Sequence, residues 1–130
     1  ITLPFIDLAD LNLKSILGLI FSFFAFIMGV PFTDASAVGA LMGEKLVLNE
    51  FIAYTDLIGI QNVLTHKSVV IASFALCGFA NFGSVAIQIG GIGELAPSRR
   101  KDLAQLGIKA LICGTFASYI SACMAGILLG

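Results

Sequence analysis

The chain has 130 residues, of which 58% are hydrophobic, and its 14 glycines bring the apolar share to roughly two-thirds, against about 45–50% on a similar count in soluble domains. Only 12% of the residues are charged, the net charge is −1 and the mean hydropathy is +1.04. Too little polar surface exists to cover a soluble domain of this size, and the charge is too small to attract nucleic acid, so the composition argues against a soluble enzyme, a disordered tail and a nucleic-acid binder and points to an all-α membrane protein.

Residues 1–13 mix Pro4, Asp7 and Asp10 with apolar side chains and read as a loop or an interfacial lead-in. The chain opens at Ile1 without a basic leader, which suggests a piece of a longer or trimmed protein, and its apolar end at 126–130 suits a natural C-terminus just past a membrane helix. A helix over about 12–30 follows, rich in phenylalanine and stopped by Pro31, and its composition fits either a spanning or an interfacial helix. Thr33 and Asp34 offer an N-cap for the next helix.

Over 33–62 two half-length apolar pieces meet at Asn49-Glu50, which suggests a re-entrant helical hairpin with this polar pair at its tip. Residues 61–67 form a polar turn, in which His66 is expected to have no role. The stretch 66–96 is long enough to cross a bilayer, but Gly78-Phe-Ala-Asn-Phe-Gly-Ser84 interrupts it with residues that weaken helices, so a broken transmembrane helix is expected. Gly90, Gly91 and Gly93 should weaken its far end, and Pro97 should end it. By length alone, uncharged runs at 15–33, 68–93 and 110–130 qualify as spans. A basic loop at 98–102 places that end in the cytoplasm, so the last transmembrane helix, 102–129, runs outward, leaving the C-terminus outside, and the hairpin also opens outward.

Glu50 is the most informative residue. An acid near the bilayer midplane costs about 2.5–3.5 kcal/mol on insertion scales, and such residues mark substrate or ion pathways; the alternative is a solvated linker acid. Asn81 and Ser84 share a face if the helix is only locally disturbed, and with a hairpin-tip carboxylate they can bind a polyol, or else serve as interhelical packing. Phe79 can stack on a ring or pack against lipid. Lys45 either neutralises a nearby acid or snorkels to the surface. Cys77, Cys113 and Cys123 lack metal-ligand spacing and are expected to be small apolar fillers. One histidine, in a loop, and no visible nucleophile–base pair leave no enzymatic reading.

Gly43-Glu-Lys-Leu-Val-Leu-Asn-Glu-Phe-Ile-Ala-Tyr54 resembles the GxKxxxNEFVAY signature of the concentrative nucleoside transporters. Cys77–Ser84 is similar to that family's broken-helix motif, and Gly90–Arg100 continues the likeness, with Ile52 in place of a common Val and Gly83 in place of a frequent Ser. The resemblance covers nearly the whole chain and implies the C-terminal part of such a transporter: a trimeric importer in a bacterial cytoplasmic (inner) membrane, coupled to sodium or protons, that moves nucleosides such as uridine. It further implies that Glu50, Asn81 and Ser84 bind the ribose hydroxyls, that Phe79 packs against the nucleoside, and that base contacts and most cation ligands lie in segments preceding Ile1. No other cofactor and no metal site within this segment is implied. The competing reading is a structural or gating membrane segment with no substrate site of its own.

Overall fold

The computed structural model describes residues 13–130, with side chains from Ser15 onward; the expected lead-in over 1–12 lies outside the described residues. Helix α1 (Leu13–Ile27) ends in a tight left-handed turn. Gly29 has φ +99°, its N–H reaches the Phe26 carbonyl at 3.0 Å, and the Val30 N–H reaches Ala25 O at 3.1 Å. This pairing satisfies carbonyls that a helix end leaves open, so glycine stops α1 and Pro31 only follows the stop.

Helix α2 (Phe32–Val47) and α3 (Glu50–Ile60) form the hairpin. Pro31 holds the N-cap position of α2 and no side chain caps it, so Thr33 and Asp34 do not serve as the expected cap. Asp34 is instead turned across to the 65–68 region. Close approach of α1 to α2 depends on small residues. A Cβ on Gly39 would lie 2.5 Å from Ser22 N and 2.6 Å from Gly18 O, distances that no side chain tolerates.

Helices α4 (His66–Leu76) and α5 (Phe82–Leu95) confirm the expected break. Leu76 is the last helical residue before it, Gly78 takes φ +105°, and Asn81 restarts the helix. The glycines at 90, 91 and 93 do not break the far end. Helix α5 runs unbroken to Leu95, because hydrogen bonding along a helix already begun tolerates glycine at a cost near 1 kcal/mol each.

A short turn, Pro97–Arg99, leads directly into α6 (Arg100–Leu128), so the basic segment is mostly the first turn of a helix rather than a loop. With 29 residues, α6 is about 43 Å long, enough for a hydrocarbon core of about 30 Å. Among the described residues it is the one unbroken helix long and apolar enough to span; the runs at 15–33 and 68–93 are divided or shortened by Gly29 and Gly78.

The core lies where α1, α2, α4 and α6 meet. Val38, Leu41 and Met42 from α2 pack with Ala25, Ile71, Leu76 and Ala122. Rings of Phe24, Phe116 and Tyr119, with centroids 6.0–6.5 Å apart, join α1 to α6. Outward faces remain apolar: Phe23, Ile87, Leu106, Phe116 and Ile120 are exposed. Cys77 and Cys113 are exposed too, and only Cys123 packs against the core, so the expectation of buried fillers holds for one of three. The cysteine thiols are free, without disulfides.

Candidate functional site at the hairpin tip and the helix break

Two asparagines start the two half-helices that meet here. Asn49 has extended backbone and its Oδ1 accepts the Ile52 N–H at 3.0 Å, capping α3. Asn81 is likewise extended, and its Oδ1 accepts the Ser84 N–H at 2.7 Å, capping α5. Side-chain oxygens at these positions satisfy donors that helix N-termini leave open. The sequence pattern placed Asn81 and Ser84 on one helical face; in the structure Asn81 precedes the helix and holds Ser84 through its backbone.

Asn81 is 2% exposed, and its Nδ2 donates to Glu50 Oε2 at 2.9 Å. Glu50 is half-buried in the first turn of α3. The hairpin tip and the helix break, 31 residues apart in sequence, are thus joined by one hydrogen bond. The N-terminal ends of two half-helices meet at this carboxylate. The described hydrogen bonds use one of its two oxygens.

The opposite side of the break presents carbonyls, and three side chains meet them. Lys45 Nζ donates to Ala75 O at 3.1 Å and to Cys77 O at 3.5 Å. Tyr54 Oη donates to Ser73 O at 2.6 Å, and Ser118 Oγ donates to Cys77 O at 2.7 Å. Lys45 is 3% exposed, so it does not snorkel, and its hydrogen bonds go to backbone rather than to an acid. Tyr54 and Ser118 were not singled out from sequence. Tyr54 lies in the GEKLVLNEFIAY block, which was the available signal, whereas nothing local marks Ser118.

Phe79 lies in the break with 79% of its surface exposed. With Ser84, Gln88, Gly107 and Gly114 it lines an open cavity of about 220 Å³ between the break, α5 and α6. Ser84 and Phe79 therefore share one concavity, while Glu50 and Asn81 form the polar bridge next to it. Among the described residues no group of three His, Cys, Asp or Glu side chains gathers as metal ligands.

Residues 2–126 match the family described as Na+ dependent nucleoside transporter C-terminus. The chain belongs to this family. It is 50% identical over 122 residues to the uncharacterized transporter YutK of Bacillus subtilis, covering 94% of this chain and 30% of that protein. It is 43% identical to the putative nucleoside permease NupX of Escherichia coli, covering 92% and 29%. With human solute carrier family 28 member 3 it is 42% identical, covering 94% and 20%.

Among solved structures it resembles CNTnw in an inward-facing substrate-bound state, with TM-score 0.85 and 45% identity over 93% of this chain and 30% of the other. A variant of CNTnw in an outward-facing state matches with TM-score 0.81, at 45% identity over 90% and 29%. The chain thus spans less than a third of the length of each of these relatives. Family members are transporters, consistent with an integral membrane protein and with the absence of an enzymatic site in the sequence reading.

Proposed function

We propose that this chain supplies the ribose-binding half of a cation-coupled nucleoside importer. The observation that carries the proposal is the 2.9 Å contact between Glu50 and Asn81, which gathers a carboxylate and an amide at the meeting point of two interrupted helices. A carboxylate with an open oxygen accepts ribose hydroxyls, Asn81 and Ser84 both donate and accept, and the exposed Phe79 ring flanks the sugar or base. Substrate sites of this kind lie near the bilayer midplane at discontinuous helices.

In this reading 33–62 is a re-entrant hairpin opening outward, 66–96 crosses as a broken helix, and 102–129 crosses unbroken to an outside C-terminus. The described part of helix α1, 15 residues and about 22 Å, is shorter than a span, which supports a place at the interface. Helix α5 buries little besides Gly93 within this chain, which fits a partner surface supplied by the rest of the transporter. Sodium or a proton is the coupling ion, with ligands mostly outside this segment. The assembly is a homotrimer in the bacterial cytoplasmic membrane, and nucleic acid is not a partner. The likeness to both inward- and outward-facing relatives supports movement of this segment as one body between the two sides.

The test is uridine uptake by the complete transporter. Glu50→Gln and Asn81→Ala abolish uptake while membrane expression persists, and nucleoside protects cysteines placed at 79 and 84 from modification. Wild-type uptake in both variants, with unprotected cysteines, would favour a structural or gating segment instead.

A further inference from the structure

The last carbonyls of a helix have no partners within it. In transporters with discontinuous helices, such carbonyl ends commonly coordinate the coupling cation. Here the carbonyl end of α4 is already occupied by the protein's own side chains. The Lys45 ammonium binds Ala75 O at 3.1 Å and Cys77 O at 3.5 Å, Ser118 Oγ shares Cys77 O, and Tyr54 Oη takes Ser73 O. Lys45 is 3% exposed and faces Glu50 as a charged neighbour.

Packing alone does not call for this charge. An apolar side chain of similar length would fill the same space between α2 and α4, while a buried ammonium is unfavourable unless fully paired. Its location has electrostatic logic: the ammonium meets the negative end of half-helix α4 directly, and the Glu50 carboxylate is a further favourable charge in the neighbourhood.

The geometry points to Lys45 as a tethered cation: its ammonium takes the place at the helix break that a free monovalent cation would otherwise fill, and so positions Glu50 and the carbonyl end of α4 for ligand. Lys45 is a positioning residue, acting through Glu50 and the backbone of the break. In its binding arm the inference rests on the nucleoside reading above; in its stability arm it does not.

The experiment uses the complete transporter, purified in detergent, with nucleoside affinity and Tm measured with and without ethylammonium chloride. In Lys45→Ala, which leaves a hole of about the right size, affinity falls by about 10- to 100-fold, the worth of about one hydrogen bond to a charged group. Ethylammonium restores much of that loss and raises the variant's Tm while leaving wild type unchanged. Lys45→Met keeps the stem, fills the hole and loses the charge; it stays impaired and ethylammonium does not help.

Wild-type affinity in Lys45→Met overturns the proposal, as does a Lys45→Ala defect that ethylammonium leaves untouched. Should Lys45→Ala not accumulate, a folded Lys45→Met with lost affinity sustains the proposal. Failure of both to fold, even when purified in ethylammonium, makes Lys45 a packing residue and overturns it. A wild-type protein that binds no nucleoside in this assay sinks the nucleoside reading instead, and the Tm response of Lys45→Ala then decides this one.

Discussion

The two ends of the hairpin each hold a carboxylate, and they treat it in opposite ways. At the mouth, Asp34 is buried and saturated: Oδ2 accepts from Ser68 Oγ at 2.6 Å and from both the backbone N–H and the hydroxyl of Thr65 at 2.9 Å, while Oδ1 accepts from Thr33 Oγ1 at 3.2 Å. At the tip, Glu50 is half-buried and takes one hydrogen bond, from Asn81. A carboxylate whose acceptor sites are filled by its own chain serves as a fastener. One with acceptor capacity left over, at the junction of two helix N-termini, has room for a further partner. Asp34 thus ties the start of α2 to the start of α4, and Glu50 joins the tip to the break while remaining open.

This contrast can be broken or sharpened by substitution. The largest expected effect is Glu50→Ala, which removes nucleoside binding below detection in an equilibrium binding assay while lowering Tm less than the loss of Asp34 does, since it unpairs one buried donor, the Asn81 amide. If Glu50→Ala unfolds the protein instead, the tip is a fastener too and the contrast fails. Next is Asp34→Ala, which removes the acceptor of the Ser68 hydroxyl and of the Thr65 N–H and leaves that hydroxyl only its 2.7 Å contact with Thr65 Oγ1; loss of charge-assisted bonds of this kind costs about 3 kcal/mol. Thermal unfolding in detergent should register that loss, with nucleoside affinity of the folded fraction retained. Lost affinity at unchanged Tm would assign Asp34 to the site and erase the distinction.

Gly39→Ala tests the packing that supports both ends. The new Cβ would meet backbone atoms at 2.5 and 2.6 Å, and such overpacking costs about 1–3 kcal/mol because α1 must move away from α2. Tm should fall, and an unchanged Tm would mean that the two helices separate freely. The smallest effect is that of Ser84→Ala. It removes one neutral hydroxyl from the cavity wall and should weaken nucleoside affinity by about 1 kcal/mol, roughly five-fold, without changing stability. No change in affinity would place Ser84 outside the ligand's reach.

Much of the site was readable in advance because the relevant signals are local. Asn49-Glu50 between two short apolar runs marks a tip, and Gly78 with Asn81 marks a break, since glycine and asparagine at those spacings disfavour continuous helix. The readings that needed revision involve side chains with two possible partners. Asp34 satisfies the local rule for an N-cap yet reaches across to Thr65 and Ser68. Lys45 could neutralise an acid or snorkel, yet it binds carbonyls 30 and 32 residues away. Gly90 and Gly91 suggested weakness, but helix continuity carried α5 past them.

What the chain's own order of residues determined is therefore its class and its punctuation. An apolar, charge-poor composition requires a membrane setting, and prolines, glycines and asparagines set where helices start and stop. Those are properties of composition and of near neighbours, which linear sequence records directly. The tertiary structure alone decided which polar groups meet: Glu50 with Asn81, Lys45 with the end of α4, Asp34 with the start of α4. In an apolar surrounding each buried polar group must find a partner, and several partners are chemically acceptable; only the packing of α2 and α3 against α4 and the break chooses among them.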